Sequence, residues 1–278
     1  MTRRRAVLAA AGFGLCLLVP LFQGDYHLNV LFHVALFAAL GLAWNLVGGY
    51  AGQLSLGHAA FFGIGAYALP LFHDKLGIPI LLALVLLIVT AVAAAAVIGR
   101  VAFRLRGPYF ALSTIAFAEV LRLSAKNLDR VTGGDVGLQV PGLFGPTAPI
   151  QWFYMAAVLL TAAAFTATAL IARSRFGYQL QAVREDEDTA RACGIDAARV
   201  KLHAFMISAA FTALGGAGTL TGPIVGAILI ETAQEVFKNW FHEAYQLIYG
   251  VLLVLVVLFL PEGIVGTIAS WRRRQRAS

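Results

Sequence analysis

Three polar side chains lie close together in an otherwise apolar stretch: Gln53, Ser55 and His58 in GQLSLGHAAFFGIGAYAL. A serine hydroxyl and an imidazole can exchange protons, but the stretch contains no carboxylate that would complete a catalytic triad. Polar groups in apolar surroundings face either a hydrogen-bonding partner or a water-filled cavity. Two interpretations therefore stay open: these side chains line a watery path, or they bond one helix to another.

A second group of chemically capable residues is the charged run REDEDTARACG at 184–194. Residues 179–192 are good helix formers, so we predict a surface helix there. Gly194 supplies a residue that can end this helix with positive φ, and Asp196 can cap a second helix after it. Charge alone is equally typical of a solvated helix face. The candidate interaction residues are Arg184, Glu185, Asp186, Glu187, Asp188, Ala190 and Gly194.

Small residues near the polar stretch predict close helix packing. Gly48 and Gly52 are four residues apart, and Ser55, Ala59 and Gly63 repeat that spacing. On a helix each set would form a small face that lets another backbone approach. The candidate packing glycines are Gly48, Gly52, Gly57 and Gly63.

The remaining charged residues, histidines and cysteines give no indication of a catalytic site. Glu119 and Arg122, three residues apart, predict an ion pair on one helix face near a membrane surface. The six histidines and two cysteines (Cys16 and Cys193) lack metal-ligand spacing. We predict no catalytic residue, no metal site and no cofactor.

The composition indicates what surrounds these groups. Of 278 residues, 60% are hydrophobic and only 13% are charged, whereas soluble domains are about half apolar and a quarter charged. The net charge of +7 comes from short basic clusters between apolar runs, not from a continuous basic stripe. We therefore predict an all-α, multi-pass membrane protein that does not bind nucleic acid.

Eight apolar segments are long enough to be candidate membrane spans. The basic N-terminus with its apolar run also resembles a signal peptide, but it lacks a convincing cleavage site, so we interpret it as a retained first span. The predicted spans are 6–22, 28–47, 54–72, 78–98, 109–123, 150–172, 202–230 and 246–260.

The basic residues also predict the orientation. With the N-terminus in the cytoplasm, most of the 21 Lys and Arg residues fall on the inner side. Both termini are then cytoplasmic, and residues 1–278 form one transmembrane domain. Within it we predict an outer loop at 124–149 and a cytoplasmic loop at 173–201.

Five motifs in series carry a family resemblance. The cytoplasmic loop of ATP-binding-cassette importer permeases contains Glu-Ala-Ala, three residues, then Gly, and Asp188-Thr189-Ala190 followed by Gly194 is similar to it. Together the motifs resemble the branched-chain amino-acid ABC transporter permease family, LivM type. They are GQLSLGHAAFFGIGAYAL, LRGPYFALSTIAFAEVLR, TGGDVGL, REDEDTARACGIDAARVKLHAFMISAAF and FLPEGIVG.

The resemblance implies a function and a set of partners. It implies a permease in the bacterial inner membrane that imports branched-chain amino acids with a second homologous permease, two cytoplasmic ATPases and an external binding protein. Residues 184–194 would dock on an ATPase, and Gln53, Ser55 and His58 become candidates for the translocation path. The chain has no phosphate-binding loop of its own, since none of its four lysines follows a glycine.

One departure from the family keeps alternatives open. After Ala217 the chain runs directly into Gly218-Thr219, where the family has an outer hairpin and a further membrane segment. A few tens of residues are therefore missing, and a transport-incompetent permease is one alternative. A urea or short-amide permease and an ATP-independent secondary transporter are the others, while a membrane enzyme is the least favoured class.

Overall fold

The computed structural model describes residues 12–21, 24–105, 107–134, 137–138 and 148–217. These residues form helices joined by turns and irregular segments, and the described ranges contain no β-strand. The fold is all-α, which confirms the predicted class.

The first three long helices alternate with irregular turns. Helix α1 (Asp25–Asn45) continues into a π-helical turn, Leu46–Tyr50. Helix α2 (His58–Pro70) continues into a second, Leu71–Lys75. Helix α3 spans Ile80–Ala102 and follows Pro79. The residue before a proline is disfavoured in the helical conformation, so the helix does not begin earlier.

The next three helices are α4 (Pro108–Asn127), the one-turn α5 (Asp129–Thr132) and α6 (Ile150–Ile171). Proline occupies the first position of α4, where its missing N–H costs no helical hydrogen bond. Gly133 ends α5 with a φ of +77°, a left-handed conformation that glycine adopts without strain.

The last three helices form a polar hairpin and a long apolar helix. Helices α7 (Arg175–Glu185) and α8 (Glu187–Ala192) make up the hairpin. Helix α9 (Ala197–Ala217) follows it.

Four helices in the described ranges are long and apolar enough to cross a membrane. Helix α4 reaches a spanning length as well, but Glu119, Arg122 and Lys126 make it more polar. The four spans are Asp25–Tyr50, Ile80–Ala102, Ile150–Ile171 and Ala197–Ala217.

The predicted start of the third span is wrong. The span predicted at 54–72 becomes helical only at His58, because polar groups of the segment 52–57 bond to neighbouring helices instead of to their own. The helix that contains the span predicted from residue 202 begins at Ala197, after its predicted cap Asp196.

Other parts of the topology lie outside the described residues. These are the span at 246–260, the part of 202–230 after Ala217, and both termini. The total of eight spans and the cytoplasmic termini therefore stay predictions. Of the predicted first span, residues 12–21 are described, and the Tyr154 hydroxyl of α6 donates to the Cys16 carbonyl at 2.9 Å.

Helix α9 forms the centre of the described part and packs against α1, α2 and α3. Its Phe205 contacts an aromatic cluster contributed by α2, the end of α3 and α4, with ring centroids 5.2–6.3 Å from its own. These partners are Phe61, Phe103 and Phe110. Burial of several aromatic rings makes this cluster a main packing contact of the protein.

The outer surfaces of the long helices are apolar. Val30 and Val34 on α1, Leu81 and Val85 on α3, and Leu159 on α6 are all exposed. Such surfaces suit a lipid solvent or a neighbouring membrane helix, and they identify a multi-pass membrane protein.

The helix ends collect on two sides. Arg184 of α7 contacts Gly49 after α1, and Lys201 of α9 lies by Phe103 after α3, so these ends share one side. On the other side, Lys75 in the turn after α2 donates to the carbonyl of Arg130 in α5. The side with α7 and α8 is the more basic, and the positive-inside rule predicts that it is cytoplasmic. Its described basic residues are Arg100, Arg104, Arg173, Arg175, Arg184, Arg191, Arg199 and Lys201.

Candidate functional site

A polar cluster joins the non-helical segment 52–57 to the surrounding helices. His58, the first residue of α2, lies between two serines: its Nδ1 is 3.0 Å from Ser55 Oγ, and its Nε2 is 2.8 Å from Ser208 Oγ on α9. Ser208 Oγ lies 2.5 Å from the carbonyl oxygen of Ala43 on α1. The cluster therefore connects three helices.

The direction of these hydrogen bonds follows from Ala43, whose carbonyl oxygen can only accept. Ser208 donates to Ala43, so it accepts from Nε2–H of His58. Nδ1 of the neutral imidazole is then an acceptor and takes the hydroxyl hydrogen of Ser55. The network assigns this tautomer, and each polar hydrogen in the chain of bonds has an acceptor.

Further contacts hold the segment 52–57 out of helical conformation. Trp44 Nε1–H donates to the Ser55 carbonyl at 2.7 Å, and the Leu56 N–H donates to Thr114 Oγ1 of α4 at 3.1 Å. A Cβ atom at Gly57 would lie 2.5 Å from the Thr114 carbonyl oxygen. Glycine therefore allows the segment to touch the α4 backbone.

A cavity of about 700 Å³ lies between α2 and α4. Most of its walls are apolar, with Gly63 and Tyr67 on the α2 side and Ile115 on the α4 side. Glu119 and Arg122 also line it, and they form the predicted ion pair: Arg122 Nε and Nη2 donate to the two carboxylate oxygens at 2.8 and 2.6 Å. Sequence reasoning missed the cavity, because the face that α2 turns towards α4 depends on where α2 begins.

The three predicted path residues do not line this cavity. Ser55 is 1% exposed, and His58 is hydrogen-bonded on both sides of its ring. Gln53 is half-buried, and its backbone N–H donates to the Val47 carbonyl at 3.0 Å. In this structure Ser55 and His58 take part in hydrogen bonds between neighbouring helices. A role of the three side chains in the translocation path stays a prediction.

The charged hairpin differs from the continuous helix predicted at 179–192. Asp186 has extended backbone angles, so α7 ends before it and α8 begins after it. The predicted single helix is wrong because Asp186 acts as an N-cap, accepting the Thr189 N–H at 2.5 Å. The Thr189 hydroxyl, and then its N–H, lower the pKa of the Asp186 carboxyl by stabilising its charged form.

The end of the hairpin agrees with the sequence prediction. Gly194 has a φ of +83°. Asp196 Oδ1 accepts the Arg199 N–H at 3.1 Å and caps α9. Both predictions about the hairpin's end are confirmed.

A buried ion pair fixes α8 to the base of α9. Lys201 is 1% exposed, and its Nζ lies 2.9 Å from Glu187 Oε2. The other oxygen of Glu187 accepts from Arg191 Nη2 at 2.5 Å. Lys201 Nζ also lies 5.5 Å from the ring centroid of Phe103, within the range of cation–π attraction. Glu187 therefore faces the protein.

A second contact connects the hairpin to the turn after α1. Arg184 Nη1 donates to the Gly49 carbonyl at 2.7 Å. Gly52, with a φ of +67°, lies against the same arginine, since a Cβ atom there would be 2.9 Å from Arg184 Cγ. The hairpin thus contacts the irregular stretch that leads to the polar cluster.

The predicted docking residues divide into outer and inner sets. Ala190 is buried among apolar residues that include Leu180 and Ala197, and Glu187 makes the ion pair just described. The exposed set is Arg184, Glu185, Asp186, Asp188 and Gly194.

The four predicted packing glycines have different surroundings. At Gly48 a Cβ atom would meet the ring of Trp44 from its own helix, and Gly52 and Gly57 make the contacts above. At Gly63 no described atom lies within 4 Å of the Cβ position, so the expected packing is not formed there. The small face predicted for Ser55, Ala59 and Gly63 is wrong because Ser55 precedes the helix.

The tightest contact of α2 with α9 uses glycines that the sequence analysis did not select. A Cβ at Gly65 would lie 1.9 Å from the Ala213 carbonyl oxygen, and one at Gly216 would lie 2.0 Å from that of Phe62. Gly65 shares the buried face of α2 with Phe61, four residues earlier. The four-residue spacing between Phe61 and Gly65 is the sequence signal that would have identified Gly65 as a packing residue.

Metal-ligating side chains do not cluster in the described part of the chain. No group of three or more His, Cys, Asp or Glu residues there could hold a metal ion. Cys16 and Cys193 are free thiols.

Comparison with known proteins identifies the family. A family model described as "Branched-chain amino acid transport system / permease component" matches residues 26–217, which include α1 to α9 except for Asp25, the first residue of α1. The chain belongs to this family. It is therefore a multi-pass permease subunit of the bacterial inner membrane and not itself an enzyme.

Individual relatives of this permease support the assignment. It is 29% identical to the permease protein LivM of Escherichia coli over 82% of its own length and 67% of that protein. It is 24% identical to LivH of Salmonella typhimurium and 25% identical to BraD of Pseudomonas aeruginosa, over 83% of its length and 91% of each relative. No solved structure matches the chain.

The comparisons also bear on the segment expected after Ala217. The family match ends at residue 217. The alignment with LivM extends over 287 positions but uses only 82% of a 278-residue chain, so several tens of its positions have no residue here. The relatives therefore contain residues that this permease lacks.

Proposed function

We propose that this permease is one of the two membrane subunits of an ATP-driven importer for branched-chain amino acids and that its α7–α8 hairpin docks on a partner ATPase. The family match carries the first part of the proposal. The relatives LivM, LivH and BraD are each called high-affinity branched-chain amino acid permeases. The hairpin supports the second part, because it combines an exposed charged surface with an ion pair and a hydrogen bond that attach it to the membrane helices.

The proposed assembly contains a second homologous permease, two cytoplasmic ATPases and an external binding protein. Its site for ATP lies on the ATPases. Coupling then requires that ATP bind one state of the assembly better than the other.

Two contacts are candidates for transmitting the motion of an ATPase. Glu187 connects α8 to Lys201, which packs against Phe103 in the aromatic cluster around Phe205. Arg184 connects α7 to the carbonyl of Gly49, a few residues before the polar cluster. A displacement of the hairpin would therefore reach the aromatic cluster through Lys201 and the stretch before the segment 52–57 through Arg184.

A transport-incompetent permease is the second candidate. The observation that favours it is that several tens of positions in the alignment with LivM have no residue in this chain. Such a subunit would assemble with the ATPases but move no solute.

The test is ATP-dependent uptake of labelled leucine and, in parallel, urea, by vesicles with the permease and its partners. Leucine uptake supports the importer, urea uptake alone supports the amide alternative, and assembly without uptake supports the second candidate. ATPase docking is tested with Glu185→Lys, which reverses an exposed charge at the end of α7. The control, Arg175→Glu, reverses a charge about 15 Å away at the start of that helix. We expect only Glu185→Lys to weaken co-purification of the ATPases, and equal effects would contradict docking through residues 184–194.

A further inference from the structure

The cavity between α2 and α4 has the composition of a site for a small amphiphilic molecule. Its volume of about 700 Å³ is within the range of small-molecule sites. Leu56 and Ile64 from one side and Ile115 and Leu121 from the other line it with apolar surface. Such a lining would accept an aliphatic side chain.

One wall of this cavity has a positive and a negative group side by side. Glu119 and Arg122 are paired, but their side chains remain 50% and 61% exposed. Arg122 uses two of its five N–H donors on Glu119, and the others have no partner among the described residues. Each oxygen of Glu119 can accept more than one hydrogen bond, so it too can bind a further donor.

This arrangement is complementary to an amino acid. A free amino acid has a carboxylate and an ammonium group on one carbon, and an apolar one adds an aliphatic chain. The carboxylate could take the unused N–H groups of Arg122, the ammonium could donate to Glu119, and the side chain could lie against Ile115. A neutral solute such as urea could also bond to either group, but it would bring no opposite charge to Glu119 or to Arg122 and no aliphatic chain to the apolar wall.

We propose that Glu119 and Arg122 bind the α-ammonium and α-carboxylate of the transported amino acid within the α2–α4 cavity. The inference rests on the proposed importer function and specifies where that importer recognises its substrate. The half-exposed pair remains hydrated without substrate, so each contact replaces water and binding is weak. A weak site suits a path that must also release its solute.

The test uses the permease reconstituted with its partner permease, ATPases and binding protein. Glu119→Gln removes one charge and keeps the side-chain size, and Arg122→Gln removes the other charge and shortens the side chain. We expect each to lower leucine uptake at subsaturating concentration about tenfold, the effect of losing one charge-assisted hydrogen bond. ATPase co-purification and ATP hydrolysis without the binding protein should be unchanged. The control Arg130→Gln removes a nearby exposed charge that does not line the cavity and should transport normally.

An exchanged pair separates recognition from structure. Glu119→Arg combined with Arg122→Glu keeps an ion pair on the same helix turn but reverses the order of the charges. We expect uptake to stay low, because the reversed pair would turn the aliphatic chain away from the apolar wall. Full uptake by the exchanged pair would show that the ion pair is only structural and would overturn the inference.

Two other results would also overturn it. Normal uptake by both single variants would leave the importer function intact and remove the site. Loss of the second permease from the Arg122→Gln complex would show that the pair is a subunit contact. If the unaltered assembly transports no leucine, the proposed function fails and this inference fails with it.

Discussion

Gly63 and Gly65 are two residues apart on α2 but face different surroundings. Gly63 faces the cavity, while Gly65 lies against the backbone of α9 at Ala213. Gly65→Ala forces two helix backbones apart, and we expect it to lower the free energy of unfolding by about 1–3 kcal/mol. Gly63→Ala has space for its methyl group and gains helix propensity, so it should be neutral or stabilising by up to about 1 kcal/mol.

Thermal unfolding of the two variants in the same detergent checks this comparison. Both substitutions add one methyl group to one helix, so the difference between them reports only the surroundings. Equal stabilities would mean that α9 does not approach α2 at Gly65 as closely as described.

The lowered pKa of Asp186 allows a prediction of how the hairpin responds to acid. This pKa is lowered in the folded protein by the Thr189 hydroxyl and N–H, so the charged form is the one that caps α8. A lowered folded-state pKa contributes stability that is complete above the ordinary aspartate pKa and is lost as the pH falls through the folded-state value. We therefore expect α8 to be unaffected by pH near neutrality and to loosen only in acid, below the ordinary aspartate range.

Hydrogen exchange of the Thr189 amide measures this effect. In the unaltered protein, protection should decrease as the pH falls through the Asp186 transition, after correction for the intrinsic exchange rate. Asp186→Asn keeps an acceptor that does not titrate, so its protection should show no such step. A step of the same size in Asp186→Asn would assign the titration to another group.

At the scale of elements, the turn between α8 and α9 depends on backbone conformation. Gly194 has a φ of +83°, and nothing lies within 4 Å of its Cβ position. Gly194→Val should therefore destabilise the turn through strain of about 1–3 kcal/mol, not through collision. Gly194→Asn should be close to the unaltered protein, since asparagine tolerates left-handed angles.

Limited proteolysis of the hairpin compares the two variants. Faster cleavage is expected in Gly194→Val and normal cleavage in Gly194→Asn. If both are cleaved at the faster rate, side-chain size at this exposed position matters more than the backbone angle.

The connection between α8 and α9 can be tested by removing its charges in turn. Glu187→Gln leaves the Lys201 ammonium buried without its carboxylate, which costs up to about 3–5 kcal/mol. Lys201→Met leaves Glu187 its partner Arg191 and should cost less. The double variant should be more stable than Glu187→Gln alone, because no unpaired cation remains. Chemical denaturation of the three variants gives the coupling energy, and simple additivity would contradict a direct pair.

At the scale of the whole molecule, hydrophobic content and charge placement made the all-α, multi-pass class predictable. Helix ends set by local chemistry were predictable too, as at Gly194 and Asp196. The break before His58 was not, because it depends on Thr114, which is 58 residues along the chain from Leu56, and on Trp44. The same tertiary contacts set the register of α2, which decides that Gly65 packs and Gly63 faces the cavity.

The polar cluster illustrates a further limit of sequence reasoning. Gln53, Ser55 and His58 could be selected by their polarity, but Ser208 could not, since it is one of several small residues on α9. Only the fold brings its hydroxyl to His58. The ion pair at Glu119 was predictable from spacing within one helix, whereas the cavity beside it required two helices.

The exposed thiol of Cys193 has a practical consequence. It lies immediately before Gly194 in the hairpin proposed to meet the ATPase, and the other cysteine, Cys16, lies in the apolar N-terminal part of the chain. A water-soluble maleimide should therefore label the native protein at Cys193 without any engineered residue. The rate of that labelling, compared with and without nucleotide, would report how much of the time the hairpin is uncovered in each nucleotide state.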